Sequence, residues 1–268
     1  SPSTERGRDF AIMLASLAKL HYAVEWRIIN AAEYGMPQRR KRVFIMAYKE
    51  DTKMYNAISK LNDSDDLSKW VTNDGLMQDA FEMNFENSLK SDFGEITGSL
   101  SEISDNNLGF DSKKQPFANA GVMFNGNVFS QKGFAPKFKG KAKYLKHVLQ
   151  KGLVPEEYFL SDKEPRPSLV DKWSYLKGSK NLIKTSKTGY QYPYAEGAVT
   201  FPDALDRASR TIITGEGGRG PSRFKHVIKD PESGRLRRLT PFELEKLNMF
   251  SGVHTEVEGI SNSKRAFF

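Results

Sequence analysis

Apolar residues at Phe10, Met13, Leu14, Leu17 and Leu20 return with the period of a helix, so Arg8 to Leu20 is predicted as an amphipathic helix with one face on a core. Tyr22 to Ile29 (YAVEWRII) and Val43 to Tyr48 (VFIMAY) are rich in β-branched and aromatic residues and read as strands, joined by a short linker holding Asn30 to Pro37. Helix, strand, loop and strand belong to an α/β layer, of which only an edge is expected here. In residues 51–112 apolar positions scatter as in short helices, at Ala57 to Leu61 and Leu76 to Phe85, among many Asn, Ser and Asp; a variable, partly mobile insertion is expected. From Lys113 to Lys151 aromatic residues interleave with Gly, Asn and Lys, which suits short strands joined by glycine turns, with a brief helix from Lys143 to Leu149. Leu169 to Tyr175 is helical or turn-like, and a polar segment follows as far as Tyr190. Short strands are expected at Ala198 to Phe201, Thr211 to Thr214 and His226 to Lys229, with a turn around Asp230 to Gly234. The last element carries its own start signals: Thr240 as N-cap, Pro241 as first helical residue and Glu243 three places after the cap form a capping box, with Leu239 and Leu244 as its hydrophobic staple. They predict a helix from Pro241 to about Phe250.

Charge and composition narrow the chemistry. The net charge of +8 is uneven: residues 1–50 carry +4, residues 51–111 carry −9 and residues 112–268 carry +13. Basic flanks favour a polyanion, above all nucleic acid, because each neutralised phosphate releases counterions; a generic solvated basic surface is the alternative on charge alone. The 268 residues contain no cysteine, which removes disulfides, thiolate metal sites and a cysteine nucleophile from this chain. No apolar run approaches the length of a membrane span and no signal-peptide pattern is present, so the expected location is the cytoplasm, with no membrane partner. The chain starts at Ser1 without an initiator methionine and stops at Phe268 inside an apolar segment; it is expected to be part of a larger protein.

Two stretches bear on function. GEGGRG, Gly215 to Gly220, satisfies a dinucleotide-binding pattern, but Pro221 and the β-prone FKHVI follow where that pattern needs a helix, so the Rossmann reading is rejected. A glycine loop flanked by Arg210, Arg219, Arg223 and Lys225 instead lets backbone approach a polyanion; an ordinary hairpin loop is the competing reading. The four histidines show no metal-ligand spacing, and no metal is expected. In AEYGMPQRRKRVFIMA, Gly35 and Pro37 fix a turn. If extended backbone begins at Gln38, then Gln38, Arg40 and Arg42 share one face while Arg39 and Lys41 point the other way. Two guanidinium forks on one face hold phosphate or carboxylate, or donate to a carbonyl oxygen.

NAAEYGMPQRRKRVFIMA closely resembles motif eight of the DNA (cytosine-5)-methyltransferases, Y-G-x-P-Q-x-R-x-R followed by a strand, and RRLTPFELEKLNMF, from Arg237 to Phe250, resembles their motif nine. Between them SRTIITGEGGRGPSRFKHVI looks like the core of the family's target-recognition region. The resemblance implies a fold that is α/β and α+β: the edge of a Rossmann-like catalytic domain with motif eight (1–50), the acidic insertion (51–112), a mixed, strand-rich target-recognition domain (113–236) and the motif nine helix returning toward the catalytic domain (237–268). It implies methyl transfer from S-adenosylmethionine to C5 of a cytosine flipped out of double-stranded DNA, with a cysteine thiolate attacking C6 and a glutamate assisting at N3. Arg42 matches the arginine that supports the flipped base and the catalytic loop, Arg40 its partner and Gln38 the glutamine beside them. DNA contacts are expected from Arg210, Thr211, Gly217, Gly218, Arg219, Ser222, Arg223 and Lys225, and a structural role from Arg237, Leu239, Thr240, Pro241 and Glu243 of motif nine. The family's Pro-Cys, Glu-Asn-Val, cofactor-glycine and closing Gly-Asn-Ala motifs have no match, and Phe242 stands where many members have arginine. The chain is therefore expected to be the C-terminal portion of a bacterial enzyme, inactive alone and not binding S-adenosylmethionine, completed by the rest of the parent or by a complementary subunit. The long interval between the two motifs favours a sequence-specific enzyme of the restriction–modification kind. A split-enzyme subunit, a non-catalytic nucleic-acid-binding module and a tRNA cytosine methyltransferase stay open.

Overall fold

The computed structural model describes residues 7–61, 63–85, 94–96, 99–104, 117–163 and 165–265. The chain forms two compact units, residues 1–34 with 41–140 and residues 35–40 with 141–268.

The first unit contains α1 (Arg8–Lys19), β1 (Tyr22–Asn30), β2 (Lys41–Lys49), α2 (Lys53–Ile58), α3 (Ser64–Lys69), α4 (Leu76–Ala80), β3 (Met83–Phe85), β4 (Gly94–Glu95), α5 (Leu100–Ser104), β5 (Ala120–Phe124), β6 (Asn127–Gln131) and β7 (Gly133–Pro136). Five strands form a sheet in the order β2-β1-β5-β6-β4, antiparallel at every step, and β3 pairs with β7. The mixed α/β class holds, with a multi-strand sheet.

The sheet is covered on both sides because β1 and β5 alternate apolar residues between two cores. Val24, Trp26, Met123 and Val128 pack with Phe10, Ala11 and Leu14 of α1, whereas Ala23, Ala120, Val122 and Phe129 pack with Tyr55, Ile58, Leu67 and Trp70. Gly121 is the residue across from Trp26, and a Cβ there would lie 2.2 Å from the indole ring, so only glycine lets the tryptophan lie flat on the sheet. The β5–β6 hairpin turns through Asn125 and Gly126, both at positive φ, as the twist of a tight hairpin requires.

Two buried charges on β1 draw the acidic segment onto this sheet. Glu25 accepts from Trp70 Nε1 at 2.8 Å and from the Met77 N–H. Arg27, 1% exposed, donates to the carbonyls of Val71, Met77 and Phe81 and to Gln78 Oε1 at 2.7–2.9 Å. Burial pushes the Arg27 guanidinium down to about 10 and the Glu25 carboxyl up. Within the insertion expected at residues 51–112, residues 70–81 are thus bonded to β1; residues 62, 86–93, 97–98 and 105–112 of it lie outside the described residues. Residues 117–140 also belong to this unit, although the sequence grouped them with the recognition domain.

The second unit holds α6 (Leu169–Lys177), β8 (Lys180–Thr185), β9 (Gln191–Glu196), β10 (Ile228–Lys229), β11 (Leu236–Arg237), α7 (Pro241–Leu247) and α8 (Asn262–Arg265). Leu145, Val148, Ile228, Leu239, Leu244 and Leu247 form its main core, and Leu160, Trp173 and Val227 a second. The helix at Pro241 starts as its capping box predicts: Thr240 Oγ1 accepts from Glu243 N–H and the Glu243 carboxylate accepts from Thr240 N–H. It ends three residues early, at Leu247, because Met249 takes a left-handed φ of 66°. β8, inside the stretch to Tyr190 read as merely polar, and β9, just beyond it, form a ribbon, whereas residues 198–201 and 211–214 form no strand. The ribbon buries neither face, so its residues carry no apolar alternation to read.

Candidate nucleic-acid interface

The loop Gly35–Arg40 is tied into the second unit from both sides. The Gly35 carbonyl accepts from Lys143 N–H at 2.9 Å, and Pro37 and Arg39 pair with Ser209 through two backbone bonds of 2.8 Å. Gln38 is 2% exposed, and its amide is fully used: Nε2 donates to the Leu247 carbonyl at 3.2 Å and to Asn248 Oδ1 at 3.3 Å, while Oε1 accepts from Ile212 N–H at 3.2 Å. Gln38 thereby fastens the loop to the end of α7. Thr211 adds a bond from Oγ1 to the Arg39 carbonyl at 2.6 Å.

The extended backbone expected from Gln38 begins only at Lys41. Arg40 N–H donates to the Gln38 carbonyl at 3.0 Å and closes a three-residue turn around Arg39, because pairing with Ser209 pulls Gln38 inward. Arg40 is half-buried in the second unit; Arg42 is exposed on β2 of the first, across from Ile29, and donates to the Lys41 carbonyl at 2.7 Å. Among the described residues, Arg39, Arg40, Lys41 and Arg42 form no ion pair.

The arginines around the glycine loop are spent differently. Arg210 donates to both oxygens of Asp203 (2.9 and 3.1 Å) and to the carbonyls of Phe224 and Lys225. Arg223 donates to the carbonyls of Leu176, Gly178 and Gly197. Lys225 Nζ donates to the carbonyls of Gly218 and Gly220, each at 3.0 Å, and Arg238 to those of Gly217, Gly218 and Glu157. Ser222 Oγ accepts from Phe224 N–H. Arg219 stands out at 71% exposed, with Glu157 as its partner. Inside the loop, Glu216 is buried and accepts from Ile213 N–H, His226 N–H and His226 Nδ1. Burial pushes its carboxyl up, but the bonds and charge of His226 and the Ile213 N–H outweigh it and hold it below the ordinary range. Glu216 and Arg238 were missed in the sequence; an acid between glycines was the available signal.

Behind the loop, the motif nine residues form a closed network. Arg237 is fully buried, donating to Asp230 Oδ1 at 2.7 Å and to both oxygens of Glu243 at 2.8 Å. Burial lowers its pKa, and the two carboxylates overcome this and raise it. Leu239 and Leu244 share the core beneath, and Pro241 is buried as the first helical residue. Beside α7 lies a cavity of about 560 Å³ lined by Lys151, Lys246 and Arg265 among others, with Glu256 its one carboxylate. Among the described residues no cluster of His, Asp and Glu is arranged to hold a metal, and no helix is long and apolar enough to cross a membrane.

The model of the family "C-5 cytosine-specific DNA methylase" matches residues 2–253. Type II methyltransferase M.Sau3AI of Staphylococcus aureus is 37% identical over 257 residues, 96% of this chain and 57% of that protein. Type II methyltransferases M.DsaV of Dactylococcopsis salina and M.MthTI of Methanothermobacter thermautotrophicus are 39% and 46% identical over 46 and 43 residues, 17% and 16% of this chain and 13% of each relative. The chain spans a little over half the length of the relative it matches along nearly all of itself.

Proposed function

Because this chain belongs to the C-5 cytosine-specific DNA methylase family, we propose that it is the DNA-recognition part of a restriction–modification enzyme that methylates cytosine in a specific duplex sequence. One observation carries this reading. The second unit satisfies Arg210, Arg223, Arg237 and Arg238 internally, yet Arg39, Arg40, Lys41 and Arg42 have no ion-pair partner among the described residues. Four consecutive cations with no such partner, on the stretch that resembles motif eight, present a concentrated positive charge that suits an external anion.

The roles follow residue by residue. Arg42 supports the extruded cytosine and Arg40 assists it, since a guanidinium donates well to a base carbonyl on which negative charge develops. Gln38, whose amide is consumed by Leu247, Asn248 and Ile212, acts as a positioning residue for the turn that presents Arg40. With no cysteine in the chain, the thiolate comes from outside it. The open edge of β2 supports a further covering part: Val43, Phe44 and Met46 are exposed there, the kind of apolar edge that isolated domains avoid. The family's methyl donor, S-adenosylmethionine, carries a sulfonium cation, and the cavity beside α7, where Lys151 and Lys246 stand near an Arg265 already paired with Glu245 and Glu256, offers it no free carboxylate among the described residues and does not fit it. The parent's remaining part supplies that site.

The purified chain is expected to bind duplex DNA with marked salt sensitivity and to transfer no methyl group. Fluorescence anisotropy with labelled duplex and tRNA, alongside a methyl-transfer assay, tests this. Tighter binding to tRNA, or methylation by the chain alone, contradicts it.

A further inference from the structure

The ribbon formed by β8 and β9 stands out from the second unit with both faces bare. Asn181 to Thr185 and Gln191 to Pro193 are all exposed, and Ile183 reaches 75%. Six residue pairs hold it in antiparallel register, from Lys180 across from Glu196 to Thr185 across from Gln191. A two-stranded ribbon that buries nothing is marginal by itself. Its base is therefore pinned: Glu196 is approached by Lys180 at 3.5 Å, by Arg223 at 3.4 Å and by the Tyr194 hydroxyl, and Lys180 also lies over the Tyr175 ring. The tip closes through Gly189 at φ 84° and a Ser186 N–H bond to the Tyr190 carbonyl.

The two faces differ in chemistry. Alternation and register put Lys180, Leu182, Lys184, Tyr192, Tyr194 and Glu196 on one face, and Asn181, Ile183, Thr185, Gln191, Pro193 and Ala195 on the other. From Ser179 to Ala195 there are three lysines and no carboxylate. Lys180 is occupied at the base, which leaves Lys184, resting on the Tyr194 ring at 3.2 Å, and Lys187 at the tip. The second face is uncharged and offers two amides and a hydroxyl, the groups that pair with base edges.

We propose that this ribbon docks in the major groove of duplex DNA, with Asn181, Thr185 and Gln191 toward the base edges, Lys187 of the tip at a phosphate, and Lys184, on the outward face, reaching past the β8 edge to a phosphate of the groove rim. The length fits, since six residue pairs extend about 20 Å. So does the width, since a major groove about 12 Å wide admits a two-stranded ribbon. Charge complementarity selects the polyanion over an apolar partner. The proposal rests on the DNA-recognition reading above and names a specificity element outside the glycine loop.

The test uses the full chain and a labelled duplex of randomised sequence, with binding followed from about 50 to 200 mM salt. The double variant Lys184→Ala/Lys187→Ala, changed only at exposed positions, keeps the wild-type melting temperature. Its slope of log affinity against log salt drops by about 1.8, so the loss of affinity across that fourfold interval shrinks about twelvefold. Asn181→Ala/Gln191→Ala leaves the slope unchanged and cuts the preference for a selected sequence about tenfold. If the wild type binds duplex but the lysine variant keeps its slope, the ribbon is not on DNA, and the recognition reading survives without it. An unchanged preference in the amide variant removes the base-facing assignment. If the wild type binds no duplex, the recognition reading itself falls and this proposal with it.

Discussion

Glu216 lies among four glycines and turns inward, so a loop with great backbone freedom is held from inside by one carboxylate. Replacing it by Gln leaves the backbone N–H donors with a weaker acceptor and should cost about 1–3 kcal/mol. Because its folded pKa lies below the ordinary 4.5, its stabilisation is complete above that value and is lost as pH falls through the folded value. Urea midpoints between neutral pH and about pH 3 should therefore fall less steeply in Glu216→Gln than in wild type; parallel curves would show that the carboxylate does not hold the loop. The same residues mark how far single positions were legible. Arg210, Arg223 and Lys225 read as outward cations because a charge beside glycines carries no direction. The structure turns each onto carbonyls or Asp203, and only Arg219 stays exposed.

At the scale of elements, Arg237 joins β11 to α7 through Glu243 and to the preceding turn through Asp230. Arg237→Ala leaves the buried Asp230 and Glu243 carboxylates without their counter-charge and should destabilise the second unit by about 3–5 kcal/mol. Lysine at that position, lacking the fork, should restore only part of this. Denaturant unfolding checks both; a cost below about 1 kcal/mol would mean that the network is incidental. Elements were legible where burial or capping leaves a period. The spacing of α1, the β1 and β2 runs and the Thr240–Glu243 box all predicted what formed. The β8–β9 ribbon escaped because neither face is covered, and residues 70–74 because Glu25 and Arg27 look out of place in a strand until their partners are known.

At the scale of the molecule, motif eight is divided: Gly35–Arg40 belongs to the second unit and β2 to the first. The family was legible because two motifs stand in order, and the boundary at residue 140 was not, because the basic, aromatic composition of residues 113–151 runs across it. The central claim, that this chain reads duplex sequence for chemistry performed elsewhere, is tested most directly by selection from a pool of duplexes with a randomised core, using the chain alone. The account predicts repeated enrichment of one short sequence containing cytosine, at moderate salt. A bound pool indistinguishable from the starting pool, despite measurable affinity, would contradict it.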